Sequence, residues 1–190
     1  MIRPIWASVH RWPEWTRWAA APWWAMWSRP VEPVFPWVDD SKKLSATRRE
    51  EVYAQIMEHA LYVGIGRASA REIDEMNILN ATRLAMERAA QDASATLCIV
   101  DAVRGLHLPF PVIPIIHGDA TSYHVAAASI VAKVTRDRQM AEYAKQYPQY
   151  GFDHNMGYGT AEHIDALRRF GPTPEHRHSF IRKFLEEGKE

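Results

Sequence analysis

The sequence is poor in cysteine and has no long apolar run. Its single cysteine, Cys98, lies in the apolar stretch Leu97–Val100. One thiol excludes an intrachain disulfide framework and is typical of a reducing compartment, so we expect a cytoplasmic protein with Cys98 as a small buried hydrophobe. Without about 20 consecutive apolar residues, the sequence does not predict a membrane span. We therefore expect no membrane partner.

An excess of charge of either sign is also absent. The 190 residues carry 23 lysines and arginines and 23 aspartates and glutamates. This balance excludes a strong overall field that would attract nucleic acid, so any such binding must use a local basic surface. The length suits one domain, and we expect a monomer.

The first 37 residues lack aspartate, and no tryptophan follows Trp37, although the chain has eight. The early tryptophans do not follow one helical stripe, and Pro13 and Pro22 would interrupt a helix. A surface helix at a membrane interface therefore remains only a minor alternative. We divide the chain into an aberrant segment, residues 1–37, and a domain, residues 38–190.

From Val38 onward, the pattern is that of an α/β domain. Capping-box spacing at Thr47/Glu50 and Ser69/Glu72 predicts two helix starts, and a long helix is predicted over residues 122–147. Strands are predicted at 61–68, where Gly64 and Gly66 weaken the pattern, and at 96–100 and 112–116. Strands that alternate with helices indicate a partly parallel sheet.

Two aspartates follow predicted strands. Asp101 ends TLCIV and Asp119 follows VIPIIHG. Ligands gather at the carboxyl ends of strands in such sheets, so this pair is a candidate site for Mg²⁺ or Mn²⁺, which prefer oxygen ligands. Alternatively, Asp101 is a turn residue and Asp119 caps the next helix.

Basic and aromatic residues give weaker indications. The candidate phosphate contacts, which are equally typical of a solvated charged face, are Lys42, Lys43, Lys133, Arg136 and Arg138. Tyr158, between two glycines, suits stacking on a sugar or base, or a simple turn. His176 and His178 either bind phosphate or are exposed.

Several longer segments are distinctive, namely WVDDSKKLSATRRE, EIDEMNILNATRLAM, IVDA, HGDATSYHVAAASIVAKVTRDR and YPQYGFDHNMGYGTAEHIDALRRFGPTPEHRHSF. In this order and spacing, over about residues 38 to 180, they resemble the ribonuclease HII family. The resemblance implies a ribonuclease H-like mixed sheet flanked by helices, with a helical C-terminal part. It also implies two-metal hydrolysis of RNA–DNA hybrids and of DNA containing single ribonucleotides. Asp101 and Asp119 match the family's third and fourth catalytic carboxylates, and Tyr158 matches the tyrosine beside the ribonucleotide.

The family's opening DEAGRG-type motif, with two metal ligands and the turn that reads the 2′-hydroxyl, is missing. Reading the reverse-translated segment one nucleotide upstream explains this. Trp15-Thr16 is then forced to encode Asp and Trp18-Ala19 to encode Gly, and permissive codon choices elsewhere give AGVDEVGRGPLVGDVV over residues 12–28. We hypothesise a frameshift that rewrote residues up to about 30.

The missing motif leads to three functional hypotheses. In the first, the family's endoribonuclease activity belongs to the frame-restored chain, while the printed chain has disrupted first strands, unpaired strand edges and little activity. In the second, the chain is a catalytically defective hybrid-binding protein. The third is the membrane-associated alternative.

Overall fold

The computed structural model describes residues 5–7, 23–28, 35–38, 41 and 43–186, with the backbone alone for 5–7 and 23–28. Its strands are β1 (Ile5–Ala7), β2 (Trp23–Ser28), β3 (Tyr62–Arg67), β4 (Cys98–Asp101) and β5 (Val112–Ile115). Its helices are α1 (Ala46–His59), α2 (Ala70–Met76), α3 (Ile78–Ala90), α4 (Gly118–Thr121), α5 (Tyr123–Gln146), α6 (Phe152–Asn155), α7 (Ala161–Phe170) and α8 (His178–Glu186). A 3₁₀ turn spans Pro148–Tyr150.

The described residues fall into two compact units. The first contains the sheet, α1, α4, most of α3 and the first half of α5, up to Thr135. The second contains α2, the remainder of α5 from Arg136, and the elements that follow it.

The sheet of the first unit is mixed, as the sequence predicts. Its strand order within the described ranges is β3-β2-β1-β4-β5. The pairs β1–β2 and β2–β3 are antiparallel, whereas β1–β4 and β4–β5 are parallel. The carboxyl ends of β4 and β5 therefore lie at the same edge of the sheet.

The N-terminal segment takes part in this sheet, and the expectation of unpaired strand edges is wrong. Strand β1 pairs with β2 and β4, and all six residues of β2 pair with β3. Backbone N–H and C=O groups form ladders whatever side chains they carry, so a rewritten segment of extended backbone can still fill these positions. The remainder of the proposed aberrant segment, apart from residues 35–37, lies outside the described residues.

Helix starts follow local capping chemistry. The predicted capping box at Ser69 and Glu72 is confirmed, with the Ser69 side chain accepting from the Glu72 backbone and the Glu72 side chain accepting from that of Ser69. The prediction at Thr47 and Glu50 is wrong, because Ser45 adopts the extended cap conformation and accepts from the Arg48 N–H at 3.2 Å. Thr47 therefore lies inside the first turn of α1.

Each unit has its own hydrophobic core. In the first unit, Val52 and Ile56 of α1 pack with a face of α5 that includes Ile130 and Val131. In the second unit, the core is built around Tyr150, Phe152 and Leu167, together with Met140, Tyr143, Ala166 and Ile181. The predicted long helix is confirmed as α5, and its apolar residues are buried in these two clusters.

Candidate active site

Asp101 ends a strand that is buried along its whole length. All four residues of β4 are buried, and Asp101 is only 4% exposed. Its Oδ1 accepts a hydrogen bond of 2.9 Å from the Gly118 backbone N–H. A buried carboxylate needs such a partner, and this bond fixes its orientation at the carboxyl end of the sheet. The position is the one that the sequence predicts.

Gly118 brings the chain of Asp119 close to Asp101. A Cβ at Gly118 would lie 3.3 Å from both Cα and Cβ of Asp101 and 3.2 Å from Cγ1 of Val125. Such distances are tighter than ordinary contacts, so only glycine fits without displacing a neighbour. Asp119, half-buried, is the next residue along α4. The two candidate carboxylates therefore belong to one local structure.

Two left-handed residues flank these carboxylates. Ala102, directly after Asp101, has φ 55°, and His117, directly before Gly118, has φ 56°. The Ala102 N–H donates to the Ile115 carbonyl at 2.9 Å, and the His117 carbonyl accepts from the Ala120 and Thr121 amides. Non-glycine residues in this region are strained, and such strain clusters at functional sites. The backbone geometry thus agrees with a functional role here.

The alternative roles of the two aspartates receive different support. Asp119 lies within α4, and one residue, Ser122, separates α4 from α5. The Ala126 N–H in the first turn of α5 donates a hydrogen bond to the Ser122 carbonyl, so Ser122 holds the cap position. Asp119 is therefore not placed as the cap of the long helix. Asp101 does stand where the chain turns, since the Val103 N–H donates to the Asp101 carbonyl at 2.7 Å.

The donor chemistry of this pair fits a hard divalent cation. Carboxylate oxygens are the ligands that Mg²⁺ and Mn²⁺ prefer, and Mg²⁺ is commonly held by one or two carboxylates with water and substrate phosphate. Among the residues that the structure describes, no group of three or more His, Cys, Asp or Glu side chains is arranged to hold a metal. A pair of cations requires a fuller ligand set than two carboxylates, and the described residues do not group one.

Tyr158 lies in the second unit, in a loop fixed by many hydrogen bonds. Its N–H donates to the Asn155 carbonyl at 2.7 Å, and its carbonyl accepts from the Thr160 N–H at 2.9 Å. Asn155, which is buried, also accepts from the Gly157 N–H and donates to the Tyr150 carbonyl at 2.6 Å. Tyr158 is itself half-buried. Hydrogen bonds to residues of the same unit thus hold the loop in one conformation.

Arg136 is placed against this loop. It is buried, donates to the Met156 carbonyl at 2.6 Å, and has its guanidinium carbon 5.5 Å from the centroid of the Tyr158 ring. Burial lowers the pKa of Arg136 and raises that of Tyr158. Each side chain partly offsets the shift of the other, because Tyr158 raises the pKa of Arg136 and Arg136 lowers that of Tyr158. The sequence predicts a phosphate contact at Arg136, whereas the structure shows it supporting the tyrosine loop.

The remaining basic candidates lie in the first unit or outside the described residues, apart from Arg138, which is exposed on the second-unit part of α5. Lys43 is exposed just before α1, Lys133 is half-buried on α5, and Lys42 falls outside the described residues. Asp101 and Asp119 thus lie in one unit with Lys43 and Lys133, and Arg136 and Tyr158 lie in the other.

The sequence interpretation missed a buried histidine pair. His163 and His176 are fully buried, and their Nε2 atoms are 2.9 Å apart. An exposed or phosphate-binding His176 is therefore wrong, because the ring is enclosed by Tyr150 and Phe152; His178 is exposed, as one of its two alternatives predicts. The available signal was the period of α7, which places His163 on the face of Ala166 and Leu167.

Comparison with solved structures first defines the class of fold. The chain superposes on the ribonuclease H2 from Pyrococcus horikoshii OT3 with a TM-score of 0.75 and 21% identity, covering 98% of this chain and 99% of the other. It also superposes on Bst-RNase HIII, solved in complex with Mn²⁺, with a TM-score of 0.69 and 14% identity, covering 99% and 70%. The fold is that of the type 2 ribonucleases H.

Sequence comparison then identifies the family. The profile of Ribonuclease HII matches residues 37–183. The ribonuclease HII of Caldanaerobacter subterraneus is 47% identical over 159 residues, or 83% of this chain and 66% of the relative. That of Geobacillus kaustophilus is 48% identical over 165 residues, or 85% and 63%. The chain belongs to the ribonuclease HII family, and it spans about two thirds of the length of these relatives.

Proposed function

We propose that this domain is that of a metal-dependent endoribonuclease that cuts the RNA strand of RNA–DNA hybrids and cuts DNA at embedded ribonucleotides. The observation that carries the proposal is the buried Asp101, held by Gly118 at the carboxyl end of a parallel strand pair within a ribonuclease HII domain. The Mn²⁺ complex of Bst-RNase HIII supports a divalent cation as the cofactor, either Mg²⁺ or Mn²⁺.

Asp101 and Asp119 would hold the cation in this proposal. When bound, a divalent cation supplies Lewis-acid stabilisation of the negative charge that develops at the phosphodiester. The Gly118 N–H holds the Asp101 carboxylate in one orientation, so little side-chain freedom is lost on binding. Asp119, which is half-buried, would remain accessible to the cation and the substrate phosphate.

Aromatic and basic residues would bind the nucleic acid. Tyr158, supported by Arg136, would pack against the ribonucleotide, because an aromatic ring offers a stacking surface to any sugar or base. Lys42, Lys43 and Lys133 would contact phosphates, which makes the affinity fall with salt concentration. We propose that the protein acts as a monomer in the cytoplasm.

In this proposal, the chain as printed lacks part of the metal site. Residues 1–37 contain no aspartate, and their two glutamates, Glu14 and Glu32, are not part of a DEAGRG-type motif, so the first two carboxylates of the family motif are missing. The family profile begins only at residue 37. We infer a frameshift in this segment, and we expect the printed chain to cut poorly. Sequencing the gene tests the inference, since one shifted frame across codons 12 to 28 must encode DEVGRG.

Three chains test the proposed activity on a DNA duplex with one ribonucleotide: the frame-restored chain and two variants of it. The chain with its frame restored over residues 12–28 should cleave it with Mg²⁺ or Mn²⁺, and Asp101→Asn in that chain should abolish cleavage. Asp92→Asn, at an exposed aspartate after α3, is the matched control and should cut normally. A restored chain that never cuts, or an Asp101→Asn variant that cuts fully, would refute the proposal.

The two missing carboxylates of the motif also favour a second candidate, a hybrid-binding protein without cleavage activity. Its separate prediction is that the printed chain binds an RNA–DNA hybrid in EDTA and leaves it intact when Mg²⁺ is added. Cleavage by the printed chain would exclude this candidate, and no binding in EDTA would count against both. For the membrane alternative, no helix in the described ranges has the length and apolar character of a membrane span.

A further inference from the structure

The main-chain carbonyl of Tyr158 is held by a side chain as well as by its own loop. It accepts from the Thr160 N–H at 2.9 Å and lies 2.8 Å from Nδ1 of His163. A carbonyl oxygen only accepts, so Nδ1 of His163 must carry a proton. In the neutral ring, Nε2 of His163 is then an acceptor. One buried contact thus fixes the tautomer of His163.

The same reasoning fixes the tautomer of His176. Its Nε2 faces the acceptor Nε2 of His163 at 2.9 Å and must therefore be the donor. Its Nδ1 is then an acceptor and receives the Thr173 N–H at 3.0 Å and the Thr173 hydroxyl at 2.7 Å. Each ring nitrogen has a partner of the opposite kind. The chain of hydrogen bonds from Thr173 to Tyr158 is complete only when both rings are uncharged.

We propose that His163 and His176 are positioning residues for Tyr158, which hold its main-chain carbonyl through a chain of hydrogen bonds between two uncharged imidazoles anchored at Thr173. This inference rests on the proposed contact between Tyr158 and the nucleic acid. Neither histidine touches the substrate in this account. They act by keeping the tyrosine in one place, so that binding does not have to order it.

The surroundings of the pair keep it uncharged. Burial lowers the pKa of His163. Burial, then the neighbouring His163, lower the pKa of His176 to about 3, and His178 and Arg177 at the start of α8 act in the same direction, against a hydrogen bond with Thr173 that raises it. A proton on either ring would place two N–H groups face to face. The tyrosine loop should therefore keep its structure through the physiological pH range.

Aromatic rings close the pair off from water on two further elements. Tyr150 of the 3₁₀ turn lies with its ring centroid 5.2 Å from that of His176, and its hydroxyl donates to the Gly171 carbonyl. Phe152 of α6 packs edge-on to His163, with the centroids 5.4 Å apart. Burial raises the pKa of Tyr150, so this phenol stays neutral and adds no charge. The enclosure explains why each polar atom of the pair needs its partner.

Nuclear magnetic resonance of the full chain tests the hydrogen-bond chain without any ligand. Long-range ¹H–¹⁵N spectra from pH 5 to 8 should show His163 protonated at Nδ1 only and His176 at Nε2 only, with neither ring titrating. The exposed His154 of α6 is the reference ring in the same spectra. Either ring titrating near pH 6.5, or carrying the opposite tautomer, would overturn the proposal.

A double-mutant cycle tests the positioning role, with an RNA–DNA hybrid in EDTA as the probe and fluorescence anisotropy as the measurement. Tyr158→Ala and His163→Phe should each weaken binding about tenfold, the scale of one stacked base, and the double variant should bind no more weakly than Tyr158→Ala. His163→Asn, whose amide can replace Nδ1 as donor, should recover part of the loss. His154→Phe should bind like the parent chain.

The outcomes separate the two proposals. Additive losses, or a His163→Phe variant that binds fully while Tyr158→Ala is weakened, would overturn the positioning role alone. Tyr158→Ala with unchanged affinity would refute the proposed substrate contact and the positioning role together. If His163→Phe does not fold, Thr173→Val replaces it. This change removes the hydroxyl donor to His176 and the acceptor of the Glu175 N–H, keeps the Thr173 N–H donor to His176, and should weaken binding about twofold.

Discussion

At the scale of single residues, Asp101 shows how a carboxylate can be buried at a candidate metal site. Its strand neighbours are buried and apolar, and the Gly118 N–H supplies a hydrogen bond to the carboxylate. Gly118 meets this need only because its missing side chain lets the backbone approach Asp101 closely. The candidate site therefore depends on a glycine, which has no side chain that could bind a cation.

Gly118→Ala should disturb this arrangement. The new Cβ would lie 3.3 Å from Asp101 Cβ, and we expect the free energy of unfolding to fall by about 1–3 kcal/mol, as for other overpacked sites. Binding of Mn²⁺, followed by its paramagnetic broadening of protein resonances, should weaken with it. Ala120→Ser, at an exposed position of α4, is the control. Unchanged Mn²⁺ binding in Gly118→Ala would show that Gly118 does not orient Asp101.

The buried histidines give a prediction for acid stability. With its pKa lowered to about 3, native His176 stays neutral while the unfolded chain takes up a proton below about pH 6.5. The contribution of neutral His176 to the free energy of unfolding is therefore complete above pH 6.5. It is lost as the pH falls towards 3, at about 1.4 kcal/mol per pH unit. His163, whose pKa is also lowered, acts in the same direction.

Urea unfolding at several pH values measures this dependence. His176→Gln should flatten the decline in unfolding free energy between pH 6.5 and 4 and lower the stability at pH 7.5, because Thr173 loses its acceptor. His154→Gln, at an exposed ring, should leave the slope unchanged. A parent chain equally stable at pH 7 and pH 4.5 would contradict the assignment of a neutral, buried pair.

At the scale of elements, β3 and α3 show why a glycine-containing strand is stable here. Gly64 and Gly66 weaken the strand pattern, yet both face α3 at very short range. A Cβ on Gly66 would lie 1.8 Å from the Ala85 carbonyl oxygen, and one on Gly64 would lie 1.9 Å from that of Ala89. The lost strand propensity is offset because the two backbones pack directly.

Gly66→Ala should therefore be strongly destabilising. Since the obstacle is helix backbone, which cannot rotate away, we expect a loss of about 3 kcal/mol or more in unfolding free energy. Ile65→Ala is the matched control, because Ile65 is 40% exposed and its truncation should cost about 1 kcal/mol. Equal losses for the two variants in urea unfolding would show that α3 does not pack this closely.

At the scale of the whole molecule, the sheet accepts an N-terminal segment that lacks the family's motif. The backbone of β1 and β2 completes the ladder between β3 and β4. Backbone pairing depends on main-chain groups, so these strands can form whether or not the segment carries the two acidic residues that we propose as metal ligands.

Restoring the reading frame should restore the chemistry. We expect cleavage of a ribonucleotide-containing duplex to rise by two or more orders of magnitude over the printed chain, since metal binding contributes several kcal/mol to the transition state. A restored segment with both acidic residues of DEVGRG changed to amides controls for improved folding alone. Equal cleavage rates for the restored and amide-substituted chains would show that these acids are not ligands.

The sequence by itself determined the family and the order of α1, α2, α5 and β3 to β5, because hydrophobic period, capping residues and motif spacing are local properties. It also proposed Asp101 and Asp119 as candidate ligands. It misplaced the cap of α1 by two residues, since Ser45 and Thr47 are chemically equivalent until the backbone is known. It treated Arg136 and His176 as surface residues, because the identity of a charged or polar residue does not tell whether its side chain is buried.

Only the tertiary structure decided how these residues are used. It placed Gly118 against Asp101, turned Arg136 towards Tyr158, and joined His163 to His176 across 13 positions of sequence. It also showed backbone pairing where altered side chains predict none. Each of these is a contact between segments distant in the chain, and its energy depends on burial and direction that only packing supplies.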